Sequence, residues 1–215
     1  TDPSVYTRLK DTCADLFVVV AYGKILPQSI LDIPSYGCIN VHASLLPNYR
    51  GAAPIQWSLI RGETETGITT MLMDAGMDTG NILLQESLAI EKADTGETLA
   101  QRLAQLGSQT LLKTIPAWIE GTLKPQVQVH EQATYAPLIS KADGLIDWTH
   151  SSQSIENQIR GLNPWPEAYT YFRGKLLKIK EAHVLSDSLS EQTGIPGQVL
   201  YVDRSGFQVR TGEGI

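Results

Sequence analysis

The chain has 215 residues, 42% hydrophobic and 19% charged, a composition that suits one large globular domain or one domain with a smaller companion. Its net charge of −6 argues against broad polyanion binding, since the first 121 residues carry 8 basic against 13 acidic groups and the remainder 9 against 10. No apolar run approaches the roughly 18 residues of a membrane span, and Cys13 and Cys38 lack metal-ligand spacing, which argues against a disulfide scaffold or zinc site and fits a reducing compartment.

The predicted elements begin with "ADLFVVVAYG" (Ala14–Gly23), a continuous β-branched run expected as a parallel strand buried on both faces. "LPQSILDIP" follows as a short helix or turn closed by Pro34, and "GCINVHA" as the next strand. Alternation on that strand places Cys38, Asn40 and His42 on one face and Ile39 and Val41 on the other. "AAPIQWSLIRG" reads as a helix stopped at Gly62; "TGITTMLMD" and "GNILLQESLAI" are the third and fourth strands. Asp94 with Glu97 gives a start resembling a capping box for a long helix, whose Leu99, Leu103, Leu106, Leu111, Ile115 and Trp118 recur at helical spacing up to Gly121.

Strands alternating with helices imply an open α/β sheet, which binds ligands beyond the carboxyl ends of its strands. After Gly121 the pattern changes. Residues 122–138 read as an extended linker with Pro125 and Pro137. Residues 139–215 hold one short helix, "SSQSIENQIRGL", and then only short strands: "EAYTYF", "LLKIKEAHVL", "GQVLYVD" and "GFQVRTG". Short strands between turns predict a small antiparallel barrel. Within them "RGKLLKIK" gathers Arg173, Lys175, Lys178 and Lys180, either a local nucleic-acid contact or a solvated hairpin.

Two polar groups stand out against this background. Asn40 and His42 sit two apart on a strand otherwise built for burial, so they are either satisfied inside the core or aimed at a ligand. "MDAGMDTG" (Met73–Gly80) holds Asp74 and Asp78 between glycines, a loop able to approach a ligand closely. In a parallel sheet it would emerge at the same edge as His42. An Asp there would orient the imidazole and favour its protonated form. An amide, an imidazole and a carboxylate suit acyl transfer: two stabilise an oxyanion and the third manages a proton. No Ser or Cys occupies a nucleophile's position, which favours direct transfer between two bound substrates. The alternative reading, a structural Asx turn beside a buried histidine, is equally consistent with these residues alone. His130, His150 and His183 lie in separate contexts and are expected to be structural or superficial, and the four tryptophans to be core or packing anchors.

The ordered set Asn-x-His, Ser-Leu-Leu-Pro and Asp-x-Gly-x-Asp-Thr-Gly resembles the formyltransferase family that uses 10-formyltetrahydrofolate. "RGAAPIQ", "YAPLISKADGLIDW" and "NPWPEAY" resemble the branch of that family acting on methionyl-tRNA, and the resemblance runs over essentially the whole chain. It implies a Rossmann-like, mostly parallel sheet over residues 1–121, incomplete at its N-terminal side, and an OB-like barrel that contacts tRNA over residues 139–215. It implies Asn40, His42 and Asp78 as catalytic residues, Ser44, Leu45, Leu46 and Pro47 as the folate-lining segment, and the Asp74–Gly80 loop as a cover for pterin and formyl group. The implied partners are 10-formyltetrahydrofolate and charged initiator tRNA, with no metal and no membrane. A monomer is implied, in the bacterial cytoplasm or an organelle reached by a presequence. Rival readings are an amino-sugar nucleotide formyltransferase, a formyltetrahydrofolate hydrolase, or a non-catalytic folate- or RNA-binding module. Members of the family begin with a further βαβ region before the position of Thr1 and continue past "TGEGI". The chain is therefore expected to be a fragment whose first strand keeps an unpaired edge.

Overall fold

The computed structural model describes residues 3–185, 194–204 and 206–215. Two compact units are present: one made of Thr1–Ile55, Thr64–Ile90 and Leu99–Leu138, the other of Gln56–Glu63, Glu91–Thr98 and Ile139–Ile215. In chain order the elements are α1 (Pro3–Lys10), β1 (Phe17–Val20), α2 (Gln28–Leu31), β2 (Cys38–His42), β3 (Arg50–Gly51), α3 (Pro54–Ile60), β4 (Glu65–Leu72) and β5 (Asn81–Ala89). Then come α4 (Gly96–Ile119), β6 (Tyr135–Ala136), α5 (Ser152–Gly161), β7 (Ala168–Phe172), β8 (Lys175–Ile179), β9 (Val199–Val202) and β10 (Phe207–Val209).

The first unit is built on a sheet of order β1-β2-β4-β5. The expected parallel pairing is found between β1 and β2, whereas β4 runs antiparallel to β2 and β5 antiparallel to β4. The sheet is therefore mixed. The β4–β5 pairing follows from its short connection, since residues 73–80 suffice for a hairpin while a parallel return needs a crossover of a dozen residues or more; residues 43–64, between β2 and β4, are long enough for either direction. This reversal also changes how Asp78 reaches the site, as described below.

Helix α4 lies against β2 and β4, along a line of small residues as well as leucines. Leu99, Leu103, Thr110 and Thr114 are almost fully buried. A Cβ added to Gly107 would sit 3.2 Å from Val41 Cγ1 and 3.5 Å from Ile68 Cδ1, so the helix backbone comes close to the sheet. Thr70 and Thr114 share a hydroxyl hydrogen bond of 2.9 Å across the buried seam. Leu106, Leu111, Ile115 and Trp118 flank that line, half-buried. The expected Asp94–Glu97 cap is replaced by Thr95 and Thr98. Thr98 N–H donates to Thr95 Oγ1 and Thr95 N–H to Thr98 Oγ1, while Asp94 accepts from Glu91 N–H and Thr98 O–H.

Residues 122–138, expected as a linker, are extended and belong to the first unit. Gln126 exchanges two backbone hydrogen bonds with Ile82, and β6 pairs in parallel with β3. In the second unit Ile155 and Ile159 of α5 pack with Ile146, Ala168 and Ile179. Strands β7 and β8 form a hairpin whose two turn residues, Arg173 and Gly174, have φ of 49° and 77°, the positive values a two-residue turn requires. Strands β9 and β10 pair separately. The OB-like barrel is thus not closed among the described residues, because these four strands form two separate two-stranded sheets.

Strand β1 departs from its expected burial on both faces. It sits at the edge of the sheet, with Val18 43% and Val20 60% exposed. An apolar strand edge is a template for pairing with another chain. These 215 residues expressed alone should therefore self-associate with rising concentration, and Val20→Lys should reduce that association, as read by analytical ultracentrifugation. A concentration-independent monomer in both cases would contradict this.

Candidate active site

Asn40 is half-buried and His42 buried at the carboxyl end of β2. His42 Nε2 lies 2.9 Å from the carbonyl oxygen of Tyr49. A carbonyl can only accept, so Nε2 carries a hydrogen and donates it. Nδ1 is then the nitrogen turned toward Asp78, with Asp78 Oδ1 3.7 Å away. The same Oδ1 accepts from Asn40 Nδ2 at 3.5 Å, while Asp78 Oδ2 accepts from the Gly51 backbone N–H at 2.8 Å. The three residues expected at the site are therefore brought together around one carboxylate.

Asp78 arrives by way of the hairpin. Met73 N–H donates to Cys38 O, so the loop leaves β4 beside the start of β2 and folds back along it. Asp74 Oδ1 braces the bend by accepting from Gly76 N–H and Thr79 O–H. Asp78 itself has φ of 54°, in the left-handed region that Asp tolerates better than most residues. At Gly80 an added Cβ would lie 1.9 Å from the Leu72 carbonyl, so only glycine closes this hairpin. Tyr49 (φ 59°) and Gly51 (φ 115°), the residues that contact His42 and Asp78, are left-handed as well. Such conformations persist where surrounding contacts enforce them.

Sequence reasoning passed over four residues that shape this arrangement: Tyr49, Arg50, Gly51 and Gln128. Arg50 is 2% and Gln128 3% exposed. Arg50 Nε and Nη2 donate to Gln128 Oε1 at 3.1 and 2.6 Å. Gln128 Nε2 donates in turn to the carbonyls of Asp78 and Gly80 at 2.9 and 2.7 Å. Nothing in the pattern around Gln128 signals this, since it lies in the stretch read as a linker.

The segment expected to line a folate site is fixed from beneath. Ser44 donates to Asn48 O, and Thr69 O–H donates to Ser44 O and accepts from Leu46 N–H. Gln85 Nε2 donates to Leu46 O. Ser44 and Leu46 are buried, with Leu46 packed against Met71 and Ile82; Leu45 and Pro47 are half-buried. Of the four, Leu45 and Pro47 are the more accessible. In the second unit Arg173, Lys175, Lys178 and Lys180 are exposed. Lys178 pairs with Glu167, whose carboxyl that contact holds below the usual carboxylate range, and Arg173 lies 5.3 Å over the Phe172 ring.

Cys38 is the thiol nearest to this chemistry in sequence, and it is inert. Burial, with the Asp32 charge adding to it, pushes the thiol up to about 11.

A family model described as "Formyl transferase" matches residues 1–115, and "Formyl transferase, C-terminal domain" matches residues 138–215. The chain belongs to the formyltransferase family. It is 48% identical over 212 residues to a methionyl-tRNA formyltransferase of Geobacter sulfurreducens, covering 99% of this chain and 65% of that one. It is 54% identical over 199 residues to one of Caldanaerobacter subterraneus, covering 93% and 63%. The chain thus spans slightly less than two thirds of the length of these curated relatives. Among solved structures, HypX of Aquifex aeolicus in complex with tetrahydrofolic acid superposes with a TM-score of 0.75 at 17% identity, covering 99% of this chain and 36% of that one. A sugar N-formyltransferase of a Shewanella species gives 0.71 at 22%, covering 86% and 76%. At these identities the likeness is one of fold.

With Cys13 exposed and Cys38 buried, one thiol should alkylate readily at pH 8 in the native protein. A thiol of pKa about 11 is thiolate to only about one part in a thousand there. Iodoacetamide labelling read by mass spectrometry should mark Cys13 alone until denaturant is added; rapid native labelling of Cys38 would overturn the burial argument.

Proposed function

We propose that this formyltransferase moves the formyl group of 10-formyltetrahydrofolate to the α-amino group of methionine carried on initiator tRNA. The observation that carries the chemistry is the meeting of Asn40, His42 and Asp78 around one carboxylate oxygen. The acceptor rests on the methionyl-tRNA formyltransferases with which the chain shares about half its residues.

In this reading the free amine attacks the formyl carbon, the new C–N bond forms, and the formyl oxygen becomes a tetrahedral oxyanion. Asn40 donates one amide hydrogen to Asp78 and directs the other toward that oxygen. His42, anchored at Tyr49 by Nε2, places a ring that is cationic when protonated beside the developing charge. Asp78 Oδ1 faces Nδ1 of that ring and, through a water, helps carry the proton away from the attacking amine. Collapse then breaks the bond from carbon to N10 of the folate, and the proton is returned to that nitrogen. Atoms and charge balance without a covalent enzyme intermediate, in keeping with the inert Cys38.

The donor set present suits a formyl-folate: one amide, one imidazole and one carboxylate, with Leu45 and Pro47 offering apolar contact nearby in sequence. The exposed basic side chains of β7–β8 are assigned to the tRNA, whose phosphates such groups attract. We place the reaction in the bacterial cytoplasm, or in an organelle if a presequence directs the protein there, and take the working form to be a monomer.

In the intact protein, His42→Ala should lower formyl transfer by roughly 10²–10³-fold, the loss typical of an oxyanion-stabilising group, with folate binding within a few-fold of wild type. Near-wild-type rates would remove the imidazole from the mechanism. Rates with methionyl-tRNA should exceed those with an amino-sugar nucleotide as acceptor; the opposite preference would transfer the reading to a sugar N-formyltransferase.

A further inference from the structure

We propose that Gln128 is the positioning residue that sets the Asp78 carboxylate, gripping both the hairpin loop that carries it and the β3 segment that meets it. The inference rests on the function proposed above and extends it to residues outside the reacting trio.

Three observations lead to it. First, Gln128 Nε2 donates to two carbonyls of the hairpin, Asp78 O and Gly80 O, at 2.9 and 2.7 Å. It therefore pins the backbone of the residue whose side chain faces His42. Second, Gln128 Oε1 accepts the Arg50 fork through Nε and Nη2. The residue after Arg50 is Gly51, whose backbone N–H takes Asp78 Oδ2. One amide thus fixes the backbone of residue 78 directly, and the peptide that occupies the far carboxylate oxygen through its neighbour. What remains is Oδ1, which faces Asn40 and His42.

Third, the hydrogen-bond chemistry admits only one orientation. Both hairpin partners are carbonyls, which accept, and Arg50 is a guanidinium, which donates. Rotating the amide by half a turn would set oxygen against oxygen and N–H against N–H. Arg50 also donates to His130 Nδ1 at 3.1 Å, so His130 presents its lone pair there and reinforces the guanidinium plane. Arg50 is a buried cation oriented by neutral acceptors, and Gln128 is the acceptor it meets twice. A carboxylate at position 128 would satisfy Arg50 as well or better, yet would repel both carbonyls. Glutamine is required by the hairpin.

Position 78 makes this hold consequential. Asp78 is left-handed, and its contacts to Asn40 and His42, at 3.5 and 3.7 Å, lie at the outer limit of direct interaction. A few tenths of an ångström decide whether the carboxylate engages them.

The test is a double-mutant cycle in the intact protein, comparing wild type, Gln128→Glu, Asp78→Asn and both together. Gln128→Glu keeps side-chain size and the Arg50 contact while removing both N–H donors. Expected is a fall in kcat of roughly tenfold to a hundredfold, KM for the formyl donor within twofold of wild type, and a thermal transition within a few degrees. In the Asp78→Asn background the same change should cost less than twofold. An equal loss in both backgrounds, or no loss in either, overturns the inference. The second readout is the ¹⁵N resonance of His42 Nδ1, which Gln128→Glu should move toward its value in Asp78→Asn; a resonance fixed at the wild-type position overturns the inference too. Should Asp78→Asn leave kcat unchanged, the proposed function fails on its own, and the resonance alone decides the role of Gln128. If Gln128→Glu lacks a native thermal transition, Arg50→Lys replaces it in the same cycle with the same expected pattern, because it frees the amide from its acceptor side.

Discussion

The arrangement depends on one carboxylate being shared asymmetrically. Asp78 gives Oδ2 to the Gly51 peptide and turns Oδ1 toward Asn40 and His42. Had both oxygens been taken by backbone donors, the ring would face a neutralised group. Had neither been taken, the carboxylate would be free to rotate. The peptide at Gly51 makes the difference, and it can do so only because β3 is pinned to β6 on one side and Arg50 to Gln128 on the other. Two non-glycine residues of this set of contacts, Tyr49 and Asp78, hold left-handed backbone.

That constraint also explains why a short two-stranded sheet and an irregular segment matter more than their size suggests. Strands β3 and β6 contribute only two residues each, and residues 122–138 otherwise hold just a three-residue 3-10 turn, His130–Gln132. Their backbone and side-chain hydrogen bonds nevertheless hold the loop that carries the carboxylate. The larger elements supply the frame. The close seat of α4 on β2 and β4 at Gly107, and the buried Thr70–Thr114 hydrogen bond, keep the strand bearing Asn40 and His42 from shifting.

Much of this was legible in the sequence for identifiable reasons. The β-branched runs, the helix of α4, the glycine turn at Arg173–Gly174 and the amphipathic α5 follow from periodicity and turn chemistry, which act over a few residues. Asn40, His42 and Asp78 could be singled out because polar groups on apolar strands and aspartates between glycines are chemically conspicuous. The direction of β4 and β5 was less accessible, because strand signals carry no sign. The cap of α4 went to Thr95 rather than Asp94 because neighbouring polar residues compete for the same N–H groups. The four C-terminal strands read as a barrel because of their turn spacing, which does not encode the two two-stranded sheets they form among the described residues.

By itself the sequence determined where the main strands and helices run, which polar residues stand out against them, and, through its ordered motifs, the family. Tertiary structure alone decided which oxygen of Asp78 meets His42, which ring nitrogen is left to meet it, and that Arg50 and Gln128 hold the pair in place. The physical reason is distance along the chain. Gln128 lies 50 residues from Asp78, and a hydrogen bond between them has no local signature; it exists only once the hairpin, β3 and the extended segment are packed together.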